Sequence, residues 1–132
     1  MTGTQGKILL IDDDPFFLKV LKDAFSEGGF TVCTANDGVD GVRGFREQGP
    51  EVVISDLVMP RMGGVSTCLE IRRLAGEVPP ILILLTSMFH GAPREYDTPE
   101  MGADVHIPKS TGPMDIVIIV EQLLERRRIS PG

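Results

Sequence analysis

Short apolar runs alternate along the chain with longer stretches in which apolar residues recur every three or four positions. Three of the five runs are continuously apolar, which is the pattern of strands that helices cover on both faces. The intervening stretches have the period of amphipathic helices. We therefore predict strands at KILLID (7–12), FTVCTA (30–35), EVVISD (51–56), PILILLT (80–86) and ADVHI (103–107).

The first predicted helix has the clearest end signals. Asp14 can cap its N-terminus and Pro15 suits its first position. Gly28 and Gly29 then end it. Its expected buried stripe comprises Phe17, Val20, Leu21, Ala24 and Phe25. Further helices are predicted at about 38–48, after Gly63-Gly64 and at about 113–127, the last with Ile116, Ile119, Val120 and Leu123 inward.

The alternation of strand and helix predicts a parallel sheet with right-handed crossovers and helices on both faces. At 132 residues the chain fits one domain. We expect the core of that domain at about residues 5–127, with residues 128–132 as a tail or a linker to an output domain. Ligands in such sheets bind at the carboxyl ends of the strands, near the switch in strand order.

Composition and charge narrow the function classes. The net charge of −6 argues against nucleic-acid binding by this domain, since phosphates are held chiefly by clustered Lys and Arg. The leader MTGTQG has no apolar core and no apolar run could span a bilayer, so we expect a cytoplasmic protein without membrane contacts. Cys33 and Cys68 are too few for a disulfide framework, and we expect two buried, reduced thiols.

Polar residues gather at the predicted carboxyl ends of the strands. Asp12 and Asp13 end the first strand, and Asp56 ends the third. Thr86 ends the fourth strand, and Lys109 follows the fifth by two residues. Two carboxylates about 4 Å apart repel by roughly 4 kcal/mol at an effective dielectric constant of about 20, so a cation has to compensate. Carboxylate oxygens with room for water suit Mg²⁺.

Four motifs, IDDDP, ISDLVMPRMGG, ILLTS and HIPKS, occur in the order and at the spacing that resemble the receiver domains of two-component response regulators. The resemblance covers residues 5–127. It implies an α/β, flavodoxin-like (βα)5 sandwich of three layers, with a five-stranded parallel sheet in the order 2-1-3-4-5. It also implies a phosphorylated switch protein rather than an enzyme, with only Mg²⁺-dependent autophosphorylation and autodephosphorylation of its own.

By this resemblance Asp56 is the phosphoacceptor, which takes a phosphoryl group from a phosphohistidine on a sensor histidine kinase or a phosphotransfer protein. Asp13 and Asp56 would bind Mg²⁺ directly, and Asp12 would bind it through water. The backbone carbonyl of Val58 would complete the metal site.

The resemblance also assigns residues on the fourth and fifth strands. Thr86 would donate its hydroxyl to the phosphoryl group, and Lys109 would pair with that group. Thr86 and His106 would form the conformational switch. His106 stands where the family usually carries an aromatic residue, so an imidazole there could add pH sensitivity. Ser110 replaces the family's proline, which favours a trans bond because a non-proline cis peptide costs about 3 kcal/mol.

Val58 and Met88 occupy positions at which the family tunes hydrolysis of the acyl phosphate. Their apolar side chains should hinder water and give a long-lived phosphoryl form. Plainer structural or solvent roles are expected for Asp14, Pro60, Gly64 and His90.

The surface for partner contacts is less regular than the family pattern. The segment SMFHGAPREYDTPEMG contains two prolines, so a helix there is limited to a turn or two around residues 93–101. In the family that helix, the fifth strand and the last helix carry homodimer or output-domain contacts, so the standard dimer is not assumed here. The last helix is apolar nearly all round, which leaves two alternatives for Val117 and Ile118: contact with a partner, or burial against the neighbouring helix.

Two other functions compete with the receiver hypothesis. One is a haloacid-dehalogenase-like phosphohydrolase, whose motif residues would be Asp12, Asp14, Thr86 or Ser87, and Lys109. The late metal-binding acids and the cap segment of such enzymes are missing. The other is a receiver-like scaffold that keeps the fold without phosphorylation. The modified residue separates a receiver, with phosphate on Asp56, from a phosphohydrolase, with phosphate on Asp12.

Overall fold

One five-stranded sheet forms the centre of the molecule. The computed structural model describes residues 5–87 and 102–129. Its strands are β1 (Gly6–Ile11), β2 (Phe30–Ala35), β3 (Val52–Asp56), β4 (Ile81–Thr86) and β5 (Val105–Pro108). All neighbouring strands pair in parallel, in the order β2-β1-β3-β4-β5. The predicted fold class and strand order are confirmed.

Helices connect the strands as the alternating pattern predicts. They are α1 (Pro15–Glu27), α2 (Gly38–Gln48), α3 (Gly64–Ala75) and α4 (Pro113–Ile129). The described residues thus contain four helices rather than the five of a (βα)5 fold, and the segment in which the other was expected, around residues 93–101, lies outside them. In residues 5–87 and 102–129 no helix combines the length and the apolar character needed to cross a bilayer.

The sheet lies between two helical layers, because successive residues of a strand point to opposite faces. In β1, Ile8 and Leu10 pack with residues of α1 and α4, whereas Leu9 and Ile11 pack with residues of α2 and α3. Both faces of the sheet are therefore covered. This double burial is the physical reason why three of the strands are continuously apolar in sequence.

The ends of α1 lie where the sequence predicts them. Asp14 Oδ1 accepts hydrogen bonds from the backbone N–H groups of Phe16 and Phe17, at 3.0 and 3.4 Å, which confirms its capping role. At the other end the Gly28 N–H donates to carbonyls of the last helical turn. The predicted stripe omitted Leu18, which is buried.

The inward face of α4 differs from the predicted one. Its buried residues are Ile116, Val117, Val120 and Leu124. Ile119 and Leu123, predicted to point inward, are only partly buried, since a nearly continuous apolar segment gives the helical period no clear phase. Val117 is buried next to Gly28 at the end of α1, so of the two alternatives for this residue, burial against the neighbouring helix is the one observed. Ile118 is 47% exposed.

Both cysteines are free thiols. Cys68 is buried in α3, and burial raises its pKa to about 12. Cys33 is half-buried in β2. The prediction of two buried thiols is therefore correct for Cys68 and correct only in part for Cys33.

Candidate functional site

The carboxyl ends of β1, β3 and β5 bring charged side chains together at one edge of the sheet. Asp12 directly follows β1, Asp56 is the last residue of β3, and Lys109 directly follows β5. The Lys109 Nζ lies 3.0 Å from Asp12 Oδ2 and 3.5 Å from Asp56 Oδ2. Carboxylate oxygens of Asp12, Asp13 and Asp56 lie within 4.8 Å of one another. The structure thus assembles the acidic cluster and the lysine that the sequence predicts.

The three consecutive aspartates after β1 lie in three different environments. Asp12 is 2% exposed, and its Oδ1 accepts a hydrogen bond from the Asp14 N–H at 2.8 Å. Asp13 is exposed at the rim of the cluster. The carboxylate of Asp14 caps α1 instead. The pattern Asp12-x-Asp14 therefore does not supply two carboxylates to one site, which argues against the phosphohydrolase hypothesis.

Asp56 is a buried carboxyl group that lies close to both a negative and a positive side chain. Burial raises its pKa, and the negative charge of Asp12 raises it further. The Lys109 ammonium lowers the Asp56 pKa, and so does the Leu57 N–H, which lies 3.0 Å from Oδ1. The net pKa of Asp56 lies above its usual value. Lys109 therefore compensates the burial and the repulsion only in part, and a further cation would stabilise the carboxylate.

Among the residues that the structure describes, three side chains contact the ammonium of Lys109. Burial alone lowers the Lys109 pKa, but the hydrogen bond and charge of Asp12 and the charge of Asp56 raise it more, so the net pKa lies above its usual value. The third partner is the Phe17 ring, whose centroid lies 4.7 Å from Nζ, within the range of cation–π attraction. The sequence predicted Phe17 only as a core residue. The peptide bond between Lys109 and Ser110 is trans, as predicted.

Thr86 and His106 lie on the two neighbouring strands β4 and β5. Asp56 pairs with Leu85 in the parallel register, so Thr86 lies one residue beyond that pair at the end of β4. Thr86 is buried, and its backbone carbonyl accepts the Lys109 N–H at 2.7 Å. His106 is half-buried within β5. Two other residues of the sequence hypothesis, Met88 and His90, lie outside the described residues.

Two residues between β3 and the start of α3 are restricted in different ways, Gly64 by close packing and Arg61 by its backbone conformation. The Gly64 N–H donates to the Leu57 carbonyl at 2.8 Å. A Cβ at Gly64 would lie 2.3 Å from the Asp56 carbonyl oxygen, so glycine is required there. Arg61 has a φ of 68°, a left-handed conformation that residues other than glycine rarely adopt. Its guanidinium binds Asp37, 24 positions earlier in the chain, and no local sequence signal predicts that contact.

The donor set of the acidic cluster suits a hard divalent cation. Three carboxylates, of which only Asp13 is exposed, offer oxygen atoms at the short mutual distances that one ion requires. Val58, the predicted carbonyl ligand, follows Asp56 by two residues, and its side chain is 75% exposed. Mg²⁺ commonly binds one or two carboxylates and keeps several waters, which the open rim at Asp13 allows. The residues present therefore fit Mg²⁺.

Comparisons with known proteins agree with this geometry. The family model of the response regulator receiver domain matches residues 8–121. The probable transcriptional regulator ycf27 of Guillardia theta is 34% identical over 93% of this chain and 47% of its own length. A protein-glutamate methylesterase/protein-glutamine glutaminase of Oleidesulfovibrio alaskensis is 35% identical over 96% of this chain and 36% of its own. The crystal structure of response regulator protein TrrA from Thermotoga maritima, in complex with Mg²⁺ and BeF, has a TM-score of 0.75 at 28% identity and covers 89% of this chain and 97% of that one.

The chain spans about half the length, or less, of the curated relatives it matches. Two of those relatives carry the names of different activities, a transcriptional regulator and a methylesterase. What they share with this chain is the matched region, which covers 93% and 96% of it. The activities of their remaining parts do not follow from the match.

Proposed function

The chain belongs to the response regulator receiver domain family, and from this premise we propose that Asp56 accepts a phosphoryl group from a phosphohistidine on a partner protein. Receiver domains are phosphoacceptor regulators whose modification controls an output. We propose that residues 1–132 form a single such domain, whose own chemistry is limited to gaining and losing that phosphoryl group. Neither a phosphohydrolase nor an unphosphorylated scaffold is favoured by the match to this family.

The observation that carries the proposal is the pairing of two buried carboxylates with one lysine. Asp12 and Asp56 are 2% and 7% exposed, and Lys109 lies within 3.5 Å of both. Burying two carboxylates next to each other is unfavourable for a structural role alone. The arrangement becomes favourable when the charges serve to bind a cation and a phosphoryl group.

We propose the following transfer step for these side chains. A carboxylate oxygen of Asp56 attacks the phosphorus in line with the bond to the imidazole nitrogen of the donor. The P–N bond breaks as the O–P bond forms, the imidazole leaves, and Asp56 becomes an acyl phosphate. Lys109 then pairs with a phosphoryl oxygen, while the hydroxyl of Thr86 donates a hydrogen bond to another. Both groups act by positioning and charge compensation.

Receiver domains use Mg²⁺ at an acidic site, and the cluster here has the donors for it. We propose that Asp13 and Asp56 hold the ion directly, Asp12 through water, and Val58 through its backbone carbonyl. When bound, the ion neutralises charge on the carboxylates and on the incoming phosphoryl group. Thr86 and His106 would report the modified state as the conformational switch.

The proposed partners are a sensor histidine kinase or a phosphotransfer protein in the cytoplasm. Apolar side chains around the acidic edge offer a contact surface for the donor: Phe16, Val58 and Met114 are each more than half exposed. A homodimer or an output-domain contact through β5 and α4, where Ile118 is exposed, is the proposed route to the output. We propose no contact with nucleic acid or membranes by this domain, and residues 128–132 as a tail or linker.

Incubation with Mg²⁺ and a small acyl phosphate, followed by peptide mass mapping, tests the proposed function. We expect one phosphoryl group on Asp56, none without Mg²⁺, and none in the variant Asp56→Asn. The variant Asp23→Asn is the matched control, since Asp23 forms an exposed ion pair on α1 and its loss should leave the labelling intact. Labelling of Asp12, or no labelling at all, would contradict the proposal.

A further inference from the structure

We propose that Arg61 is a positioning residue of the metal site and that its contact with Asp37 holds the loop on which the Val58 carbonyl lies. This pair is called the loop clamp below, and the loop comprises residues 57–63. The inference rests on the proposed function, because it concerns Mg²⁺ binding at the cluster that contains Asp56. Neither member of the clamp is itself a metal ligand.

The clamp joins two parts of the chain that are distant in sequence. Asp37 Oδ2 accepts hydrogen bonds from Arg61 Nε at 2.9 Å and from an Arg61 terminal nitrogen at 2.6 Å. These two contacts converge on one oxygen atom, and having two donors restrains the orientation of the guanidinium as well as its distance. The side chain of Asp37 is 14% exposed, so it is better shielded from solvent than the carboxylates of the molecule's exposed ion pairs, such as Asp23 at 58%.

Asp37 serves two purposes with its two oxygen atoms. Oδ1 accepts the Asp40 N–H at 2.9 Å and thereby caps α2, while Oδ2 binds Arg61. The Asp40 N–H and the Arg61 side chain both lower the pKa of Asp37, and Asp37 raises the pKa of Arg61. The first turn of α2 and the loop after Asp56 are therefore connected through one carboxylate.

The loop needs such a connection because its backbone is strained at Arg61. The Met62 N–H donates to the Pro60 carbonyl at 2.7 Å, across a residue with a φ of 68°. A three-residue turn with a positive φ at its centre is rare and strained. Such conformations persist when surrounding contacts hold them, and they concentrate at functional sites. The guanidinium contact supplies a restraint at the central residue itself.

Close packing transmits the restraint to the phosphoacceptor. A Cβ at Gly38, the first residue of α2, would lie 2.4 Å from the Met62 carbonyl oxygen, so α2 directly contacts the loop. Two residues after Met62, Gly64 lies against the carbonyl of Asp56, the residue before the loop, where an added Cβ would be 2.3 Å away, so the two ends of the loop lie in contact. Val58 lies between these anchored ends. A loop released at Arg61 would leave the Val58 carbonyl less well oriented for a metal ion.

Charge and positioning predict opposite results when Arg61 is removed. Arg61 is a cation on the same loop as a predicted metal ligand, so by Coulomb's law alone the variant Arg61→Ala should bind Mg²⁺ more tightly. The loop clamp predicts weaker binding, because losing a group that orients a metal ligand reduces affinity. Whether Arg61→Ala strengthens or weakens Mg²⁺ binding therefore distinguishes the charge effect from the positioning role.

The test is a titration of the whole chain with Mg²⁺, in which the NMR shifts of backbone amides near Asp13 and Asp56 report binding. We expect Arg61→Ala to raise the Mg²⁺ dissociation constant about tenfold, the lower end of the loss seen when partners of metal ligands are removed. The matched control is Arg73→Ala, which removes the same charge from an exposed ion pair with Glu70 on α3 and should leave the dissociation constant unchanged.

Three further variants separate the positioning of the Val58 carbonyl from the stability of the fold. Asp37→Asn keeps an oxygen to cap α2 but removes the acceptor for Arg61, and it should weaken Mg²⁺ binding to a similar degree. Arg61→Gly removes the clamp and relieves the positive φ, so its melting temperature should exceed that of Arg61→Ala while Mg²⁺ binding stays weak. Arg61→Lys should restore part of the affinity.

Unchanged or tighter Mg²⁺ binding by Arg61→Ala would overturn the inference, and so would an affinity that recovers together with the melting temperature in Arg61→Gly. In either case the proposed function would stand, provided the parent protein binds Mg²⁺ and is phosphorylated on Asp56. If the parent protein itself fails to bind Mg²⁺ at the acidic cluster, the proposed function fails first, and the inference fails with it.

Discussion

Replacing Lys109 with methionine tests whether the acidic cluster requires a cation. Methionine keeps an unbranched side chain of similar length and removes the ammonium that lies 3.0 Å from Asp12 and 3.5 Å from Asp56. The two carboxylates, 2% and 7% exposed, would then lie close together without the lysine that compensates them. We expect the variant to be strongly destabilised in the absence of divalent metal.

The magnitude follows from these distances. At an effective dielectric constant of about 20, contacts of 3.0 and 3.5 Å correspond to about 5.5 and about 4.7 kcal/mol of attraction. Desolvation of the ammonium offsets much of this, and removing one partner of a buried ion pair costs about 3–5 kcal/mol in practice. Because the Lys109 side chain is 21% exposed, we expect a loss of about 3 kcal/mol, the lower end of that range.

Urea unfolding followed by circular dichroism measures the loss, first with a chelator and then with saturating Mg²⁺. An ion that binds only the folded state raises the free energy of unfolding by an amount set by its affinity. Lys109 competes with that ion for the oxygens of Asp12 and Asp56. Mg²⁺ should therefore stabilise Lys109→Met more than the parent protein, and the difference between the two should shrink when the ion is added.

Lys19→Met is the matched control, because Lys19 forms an exposed ion pair with Asp23 at 2.9 Å. Such pairs contribute about 0.3–0.5 kcal/mol, and Mg²⁺ should have no special effect on this variant. The reasoning would be refuted if both variants lost the same stability, or if Mg²⁺ left the deficit of Lys109→Met unchanged.

Three further predictions concern single residues. Gly64→Ala should lose about 2 kcal/mol in urea unfolding, since its Cβ would meet the Asp56 carbonyl oxygen at 2.3 Å. The control Gly44→Ala in α2 should be neutral or stabilising, because its Cβ would make only an ordinary van der Waals contact with the Leu9 side chain at 3.4 Å. Burial and the charge of Asp12 raise the Asp56 pKa in the folded protein, so the parent protein loses stability as the pH rises through that pKa and Asp56 ionises. Asp56→Asn carries no such charge. Without Mg²⁺ its melting temperature should therefore exceed that of the parent protein by more at about pH 7 than at about pH 4. Val58→Asn should shorten the lifetime of the phosphorylated form, measured by phosphate-affinity electrophoresis; an unchanged rate would contradict the proposed shielding by Val58.

The sheet could be predicted because strands that are buried on both faces consist of consecutive apolar residues. The runs around Leu10, Ile54 and Leu84 are apolar without interruption, since both faces of the sheet are covered. The boundary of β5 was less accurate, with a start at residue 103 predicted and a start at Val105 observed. Asp104 just before it binds the backbone of β4 through its carboxylate, a contact that apolar patterning does not reveal.

The phase of α4 illustrates a second limit. A segment with apolar residues on nearly every side fits several helical faces equally well. The sequence pattern therefore predicts Ile119 and Leu123 to point inward, whereas Val117 and Leu124 are buried. By contrast, α1 has a polar cap, a proline and a terminal glycine pair, and both of its ends were predicted correctly.

Most of the acidic cluster could be predicted because parallel strands end at one edge. Asp12 and Asp56 end up near Lys109 for that reason alone. The supporting residues were missed: Phe17 looks like any core aromatic, and the contact between Arg61 and Asp37 spans 24 positions. Contacts of this kind depend on tertiary packing, which a local pattern does not encode.

The most direct test of the central claim is an amide NMR titration with Mg²⁺ and beryllofluoride, a phosphoryl mimic. The account predicts the largest shift changes at Asp13, at Asp56 and Val58, and at Thr86 and Lys109, with no beryllofluoride response in Asp56→Asn. Absence of shift changes at this edge of the sheet, or an equal response in Asp56→Asn, would contradict it.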